Sequence, residues 1–259
     1  MNILSLGAGV QSSTLAFMAA KGLITPMPDA AIFADTGWEP RKVHEYLDWL
    51  ETQLPFPVYR VMHKDGLLEA LKGEGRYAAV PFFTSNGGMG RRQCTNEFKL
   101  IPIRKKTREI LGYEPYKRIP IGSCTMWIGI STDESIRMKP SRDRWIKNRW
   151  PLIEMNMSRN DCLEWFDAQS YPRPPKSSCL GCPYHSDKQW VEIKNQDPDE
   201  WQQTIEIDKL IRNRASAMNN QQFMHRSLRP LDQVNFDYIE NQTDMWDGFG
   251  NECEGICGV

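Results

Sequence analysis

The sequence has no excess of either charge and no long run of apolar residues. Lys and Arg together number 32 and Asp and Glu 33, which gives a formal net charge of −1. This balance argues against binding of nucleic acid over the whole surface. A membrane-spanning helix needs roughly 20 consecutive apolar residues, which the chain lacks, and no basic segment precedes an apolar run at its amino end. We therefore expect a cytoplasmic protein with no membrane partner.

The chain also lacks internal repeats and low-complexity tracts, and it has no need of disulfides. Its 259 residues are enough to bury a substantial apolar core without covalent cross-links. The seven cysteines are an odd number, and in a reducing compartment they are typical of metal ligands, reactive thiols or core residues. Cys162 lies in the apolar pattern "DCLEWF" and is interpreted as a core residue.

Predicted strands alternate with predicted helices in the first part of the chain. Residues 2–6 and 30–35 are apolar runs, and each is followed by glycine and then by a helical pattern. "WIGIS" at 127–131 predicts a later strand, and Ser158 predicts the start of a helix. This order predicts an α/β fold with a doubly wound, mostly parallel sheet and a ligand site at the carboxyl ends of its strands. We predict an α/β domain over residues 1–170 and a helical, cysteine-bearing region over 171–259.

The stretch "SLGAGVQSST" joins the first strand to the first helix. Gly7 and Gly9 permit close approach of the backbone, and Ser12 and Ser13 lie at the helix start, where unpaired amides attract an anion. No Gly-Lys-Ser/Thr follows, so the loop is not a Walker loop, and it lacks the third glycine of the dinucleotide fingerprint. The stretch indicates a phosphate site, and an ordinary tight turn is the alternative.

A basic segment, "RRQCTNEFKLIPIRKK", begins at Arg91. Arg91, Arg92 and Cys94 precede a predicted helix that carries Lys99. Guanidinium groups at this position would lower the pKa of the Cys94 thiol or hold a sulfate or phosphate. A solvated basic helix face is the alternative interpretation.

The stretch "SSCLGCPYH" places Cys179 and Cys182 two residues apart around a glycine. This spacing lets two thiolates point at one metal ion, and it is also compatible with a redox dithiol or with coincidence. The absence of a thioredoxin-like context favours the metal knuckle.

These motifs resemble the phosphoadenylyl sulfate (PAPS) reductase family, within the PP-loop ATP pyrophosphatases of the adenine-nucleotide alpha-hydrolase superfamily. The first loop is similar to the serine-glycine-glycine-x-aspartate-serine loop of that group, with Gln11 in place of the aspartate. Cys94, Lys99 and Pro102 match a cysteine-lysine-proline segment, and Glu134 and Ser135 match a glutamate-serine stretch in which Ser131 replaces an arginine. Arg137 is close enough to substitute for that arginine.

The resemblance implies an adenine nucleotide (PAPS, APS or ATP) bound by the domain at 1–170. The residues that it implies for the nucleotide are Ser5, Gly7, Gly9, Gln11, Ser12, Ser13, Asp35, Thr36, Arg91, Arg92, Lys99, Glu134 and Arg137. It also implies an iron-sulfur cluster, of the 4Fe-4S type, held by Cys94, Cys179 and Cys182. Cys124 or an exogenous ligand would be the fourth. Zinc held by Cys94, Cys179, Cys182 and His185 is the chemical alternative.

The last nine residues, "NECEGICGV", resemble the mobile glutamate-cysteine-glycine tail of PAPS reductases. The resemblance makes Cys253 or Cys257 the nucleophile that attacks the sulfur of a sulfonucleotide, with thioredoxin or glutaredoxin as the thiol reductant. We therefore expect a PAPS reductase-like oxidoreductase.

Two further hypotheses remain open from the sequence. One is an ATP-dependent, iron-sulfur sulfurtransferase that uses magnesium with ATP and modifies a nucleic-acid base or a small acceptor. The other is a non-catalytic, zinc-stabilised nucleotide-binding module.

Overall fold

The computed structural model describes residues 1–73, 80–212, 214 and 220–238. Its strands are β1 (Asn2–Leu6), β2 (Ala30–Asp35), β3 (Val58–Met62), β4 (Phe83–Thr84), β5 (Cys124–Ile128), β6 (Ile146–Arg149) and β7 (Gln222–Phe223). Its α-helices are α1 (Val10–Ala20), α2 (Arg41–Gln53), α3 (Gly66–Lys72), α4 (Ile101–Ile110), α5 (Pro151–Glu154), α6 (Arg159–Gln169), α7 (Asp187–Gln196) and α8 (Pro198–Arg212). None of the described helices has the length and apolar character needed to cross a membrane.

Five strands form one parallel sheet in the order β3-β2-β1-β5-β6. The chain builds the sheet outward from β1 to β3 and then returns to the other side of β1 with β5. The order therefore reverses between β1 and β5, and in such sheets ligands bind at the carboxyl ends of the strands beside the reversal. β4 and β7 form a separate antiparallel pair. The predicted α/β fold with a mostly parallel sheet is confirmed.

Alternation along the strands separates two apolar layers. Leu4 and Leu6 of β1 face the cluster that α1, α2 and α6 complete, whereas Ile3 faces the opposite cluster, which contains Ile103 of α4. Helices thus cover both faces of the sheet. A third cluster joins residues of α3 and the 80–100 segment to the carboxyl-terminal helices; its largest members are Trp38, Phe82, Phe98 and Trp190. The region after residue 171 therefore packs directly on the first 170 residues.

Two local predictions have different outcomes. The helix predicted from Ser158 is confirmed, because the Ser158 side chain caps α6 by accepting from the Asp161 amide. The strand predicted at 127–131 is shifted, since β5 runs from Cys124 to Ile128 and the chain leaves the sheet after Ile128. β6 was not predicted, because its alternation of Ile146 with polar residues gives only a short signal.

Candidate functional site

The glycine loop lies at the reversal point of the sheet, directly after β1. Ala8 has a φ of 56°, in the left-handed region, and so turns the chain sharply into α1. The Ser12 hydroxyl accepts from the Gly7 amide at 3.1 Å and donates to the Gly9 carbonyl at 3.4 Å. The Ser177 hydroxyl donates to the Gly7 carbonyl from the other side. Protein groups therefore bind the amide and carbonyl of Gly7 and the carbonyl of Gly9, and all residues from 3 to 19 are buried.

Two residues that were predicted to bind the nucleotide, Ser5 and Ser13, are buried. Ser5 is buried within β1 between its register partners Ile32 and Ile128. Ser13 is fully buried, and its side chain lies beside the Tyr46 hydroxyl of α2, whose pKa is raised by burial. The roles of Ser5 and Ser13 in nucleotide binding stay predictions, and in this structure both side chains belong to the interior.

Gln11 connects the glycine loop to the 3₁₀-helical segment Thr132–Arg137 that follows β5. Its side-chain amide donates to the Ser131 hydroxyl at 3.4 Å and to the Glu134 carboxylate at 3.3 Å. Arg137 forms an ion pair with the same carboxylate. The structure thus brings Gln11, Glu134 and Arg137 together at the carboxyl ends of β1 and β5.

Asp35 and Thr36 end β2, beside the glycine loop. The Asp35 carboxylate accepts from the Gly37 amide at 2.7 Å, which closes the turn into α2. Glycine suits position 37 for two reasons: its φ is 75°, in the left-handed region, and an added Cβ would lie 3.2 Å from the Gly66 Cα. The Thr36 hydroxyl donates to the Glu39 carboxylate at 3.1 Å and contacts the Cys179 sulfur at 3.2 Å.

Cys94, Cys179 and Cys182 line one small cavity of about 30 Å³, which we call the cysteine pocket. Its other polar or charged lining residues are Thr36, Arg92, Thr95, Lys99 and Tyr184. Cys94 therefore meets the Cys179–Cys182 pair, which is distant from it in sequence, next to the carboxyl end of β2. Arg92 also stacks on the Tyr184 ring, 5.2 Å from its centroid, whereas Arg91 is exposed.

A π-helical segment, Thr95–Leu100, carries Lys99 into the protein interior. Pro102 has no amide hydrogen to offer the carbonyl four residues earlier, so the regular ladder is interrupted at this point. Lys99 is buried and pairs with Glu39 at 3.3 Å. Glu39 was not predicted as a site residue, although its position three residues after the Asp35-Thr36 strand end was the available signal.

The thiols of the cysteine pocket have the right chemistry for iron or zinc. A volume of about 30 Å³ holds roughly one or two water molecules. In the described part of the chain, no three His, Cys, Asp or Glu side chains are grouped closely enough to hold one metal ion. The iron-sulfur cluster and its zinc alternative stay predictions.

Two other predicted ligands are directed elsewhere. Both ring nitrogens of His185 lie against neighbours, Nε2 at 2.9 Å from the Cys179 carbonyl and Nδ1 at 3.4 Å from the Gln189 side chain. Burial lowers the pKa of His185 to about 4, so the ring is neutral. Cys124 begins β5 at the amino edge of the sheet, near the amino terminus, and burial raises its pKa to about 11. The prediction that Cys124 is a metal ligand beside Cys94 is thus corrected. Cys124 lies at the amino edge of the sheet, whereas Cys94 lies next to the carboxyl end of β2.

Cys253 and Cys257 lie outside the described residues.

Neither a protein-family model nor a curated protein matches this chain. Among solved structures, the chain is similar to a phosphoadenylyl-sulfate (PAPS) reductase from Candida auris in a phosphate complex. The identity is 13%, the match covers 67% of this chain and 74% of that one, and the TM-score is 0.44. A likeness of this extent carries no statement about function.

Proposed function

We propose that the chain is an adenine-nucleotide-binding oxidoreductase of the PAPS reductase type, which reduces a sulfonucleotide with thiols. The contact between Thr36 and Cys179, at 3.2 Å, carries this proposal. It joins the carboxyl end of β2, where an α/β sheet binds its ligand, to a pocket lined by thiols and cations. The glycine loop after β1 and the group of Gln11, Glu134 and Arg137 lie at the same edge of the sheet and support the proposal.

The nucleotide occupies the reversal point in this proposal. The amides at the start of α1 face its phosphate, and Asp35 contacts its nucleoside. Arg92 and Lys99 carry the positive charge that the sulfate end needs. The Ser177 hydroxyl, which donates to the Gly7 carbonyl, borders this proposed phosphate position.

The reaction begins with attack of a cysteine thiolate, from Cys253 or Cys257, on the sulfur of the sulfonucleotide. The sulfur-oxygen bond to phosphate breaks, AMP or its 3′-phosphate form leaves, and S-sulfocysteine forms. A second thiol then attacks the cysteine sulfur and sulfite leaves with the electron pair of the broken sulfur-sulfur bond. The resulting disulfide is reduced by a dithiol of the thioredoxin or glutaredoxin class, which supplies the two electrons.

The test uses the full chain purified anaerobically, with PAPS, APS or ATP plus magnesium as substrates and thioredoxin as reductant. Sulfite released from PAPS or APS, and lost in Cys253→Ser or Cys257→Ser, supports the proposal. Turnover of ATP that does not need either cysteine overturns it in favour of a sulfurtransferase. Nucleotide binding without turnover in a protein with one zinc per chain overturns it in favour of a binding module. Iron, zinc and acid-labile sulfide are measured on the same sample.

A further inference from the structure

A second cavity, of about 380 Å³, lies between α4 and the β5–β6 side of the sheet. We call it the basic cavity. Its floor is one face of the two strands, because Met126 is the register partner of Asn148 and alternate residues share a face. Met126, Ile128 and Ile146 make this floor apolar, and Trp150 extends it beyond β6. The volume lies in the range of sites for small organic molecules.

The walls and rim of the basic cavity are cationic. Five basic side chains line it against one acidic side chain, Glu97; they are Arg92, Arg104, Arg137, Lys139 and Arg142. Arg104 and Arg137 are paired with Asp143 and Glu134, which do not themselves line the cavity. A concave, partly apolar site with a surplus of positive charge attracts and concentrates anions.

The basic cavity is distinct from the glycine loop. Its described lining includes no residue of the loop at 7–13 and no residue of β2 or its carboxyl end. Arg92, however, lines both the basic cavity and the cysteine pocket. A ligand in the basic cavity therefore shares Arg92 with the place proposed for the sulfate end of the nucleotide, but it lies apart from the glycine loop.

We propose that the basic cavity binds a second ligand, an organic anion of mononucleotide size with a planar or apolar body and a phosphate or sulfate group. The apolar floor takes the body, and the arginines at the rim take the anionic group, to which guanidinium binds in a bidentate manner. This site goes beyond the proposed function, since it uses neither the glycine loop nor the tail cysteines, although it shares Arg92 and Arg137 with the residues predicted for the nucleotide.

The indole N–H of Trp150 is a local reporter of this cavity. The protein, which has nine tryptophans, is labelled with [15N]tryptophan, and Trp150→Phe identifies the Trp150 signal. AMP, ribose 5-phosphate and adenosine are titrated separately. We expect AMP to shift the Trp150 signal at lower concentration than either ribose 5-phosphate, which lacks the base, or adenosine, which lacks the phosphate.

Two arginine variants make the test specific. Arg142 is exposed and lines the cavity, whereas Arg144 is exposed and does not. We expect Arg142→Gln to weaken the AMP effect on Trp150 by about tenfold, because a hydrogen bond between charged groups is lost, and Arg144→Gln to leave it within about twofold. No Trp150 shift with AMP, equal effects of AMP and ribose 5-phosphate, or equal effects of the two variants would overturn the proposal.

Asp35→Asn separates this site from the proposed nucleotide site. A Trp150 titration that persists in Asp35→Asn supports an independent basic cavity, even if sulfonucleotide reduction is never found. A Trp150 titration that Asp35→Asn abolishes shows that AMP acts from the glycine loop, and it overturns the second site while leaving the proposed function intact.

Discussion

The carboxylate of Glu39 and the ammonium of Lys99 form an ion pair at 3.3 Å with side chains that are 0% and 5% exposed. The pair ties the start of α2, which follows β2, to the π-helical segment before α4. Because both charges are removed from water, each depends on the other for compensation. The Glu39 carboxylate also accepts from Thr36 and lies 3.7 Å from the Cys179 sulfur. The pair therefore supports one wall of the cysteine pocket.

Removal of one partner of this pair is expected to destabilise the protein strongly. Glu39→Gln or Lys99→Met leaves a buried charge without compensation, which costs about 3 to 5 kcal/mol of unfolding free energy. The double variant is expected to lose less than the sum of the two single losses, since it leaves no buried charge. Urea unfolding at pH 7 measures all three variants.

The matched control for this prediction is the Lys106–Glu109 pair of α4, where Glu109 is largely exposed. Glu109→Gln is expected to change stability by less than about 1 kcal/mol, because solvent screens an exposed pair. Equal losses for Glu39→Gln and Glu109→Gln would contradict the structural role given to the buried pair.

Alkylation should distinguish the cysteines of the pocket from those of the core. Cys94, Cys179 and Cys182 are half-buried, whereas Cys124 and Cys162 are completely buried. Burial also raises the pKa of Cys124 from 9.0 to about 11, which keeps its reactive thiolate form scarce at pH 8.5. We expect iodoacetamide at pH 8.5 to modify the pocket cysteines first, as read by peptide mass spectrometry. All cysteines should react alike in urea. Early modification of Cys124 in the native protein would contradict its buried position in the sheet.

The hydrogen bond from Ser177 to Gly7 should oppose nucleotide binding. If the nucleotide has to displace this contact, Ser177→Ala removes a cost of about 0.5 to 1.5 kcal/mol and raises affinity by roughly two- to tenfold. Calorimetric titration with AMP measures the change, and Ser178→Ala, one residue away, serves as the control. Weaker binding in Ser177→Ala would mean that the hydroxyl helps to hold the nucleotide.

Most of the sheet could be predicted from the sequence because its signals are local. Apolar runs that end in Gly7 or in Asp35-Thr36-Gly37 mark strand ends directly. The partners of Gln11 were less accessible, since Ser131 and Glu134 are more than 100 residues away in sequence, and only the family resemblance drew attention to Glu134. Cys124 was misplaced because spacing does not tell at which end of a strand a residue lies. Glu39 was missed because its burial follows from the fold of three separate segments.

Asp187 gives a prediction about pH dependence in the carboxyl-terminal region. Its buried carboxylate accepts from His225 at 2.9 Å, from Arg226 at 2.7 Å and from the Tyr238 hydroxyl. Burial alone would raise its pKa, but these three hydrogen bonds outweigh burial and lower the pKa below 3.8. A carboxyl group whose pKa is lower in the folded state stabilises the protein above about pH 4, and this stabilisation is lost as the pH falls through the folded-state value.

Asp187→Asn should therefore lower the free energy of unfolding most near neutral pH and less in acid. Asparagine replaces one of the two acceptor oxygens by an NH2 donor and removes the negative charge beside Arg226, so we expect a loss of several kcal/mol at pH 7, on the order of that for a buried charged network. Tyr238→Phe removes a single donor and should cost about 1 kcal/mol. Urea unfolding at pH 7 and at pH values below 4 gives the comparison. A difference between wild type and Asp187→Asn that stays constant over this range would show that the carboxylate charge contributes nothing, and that Asp187 acts only through its shape.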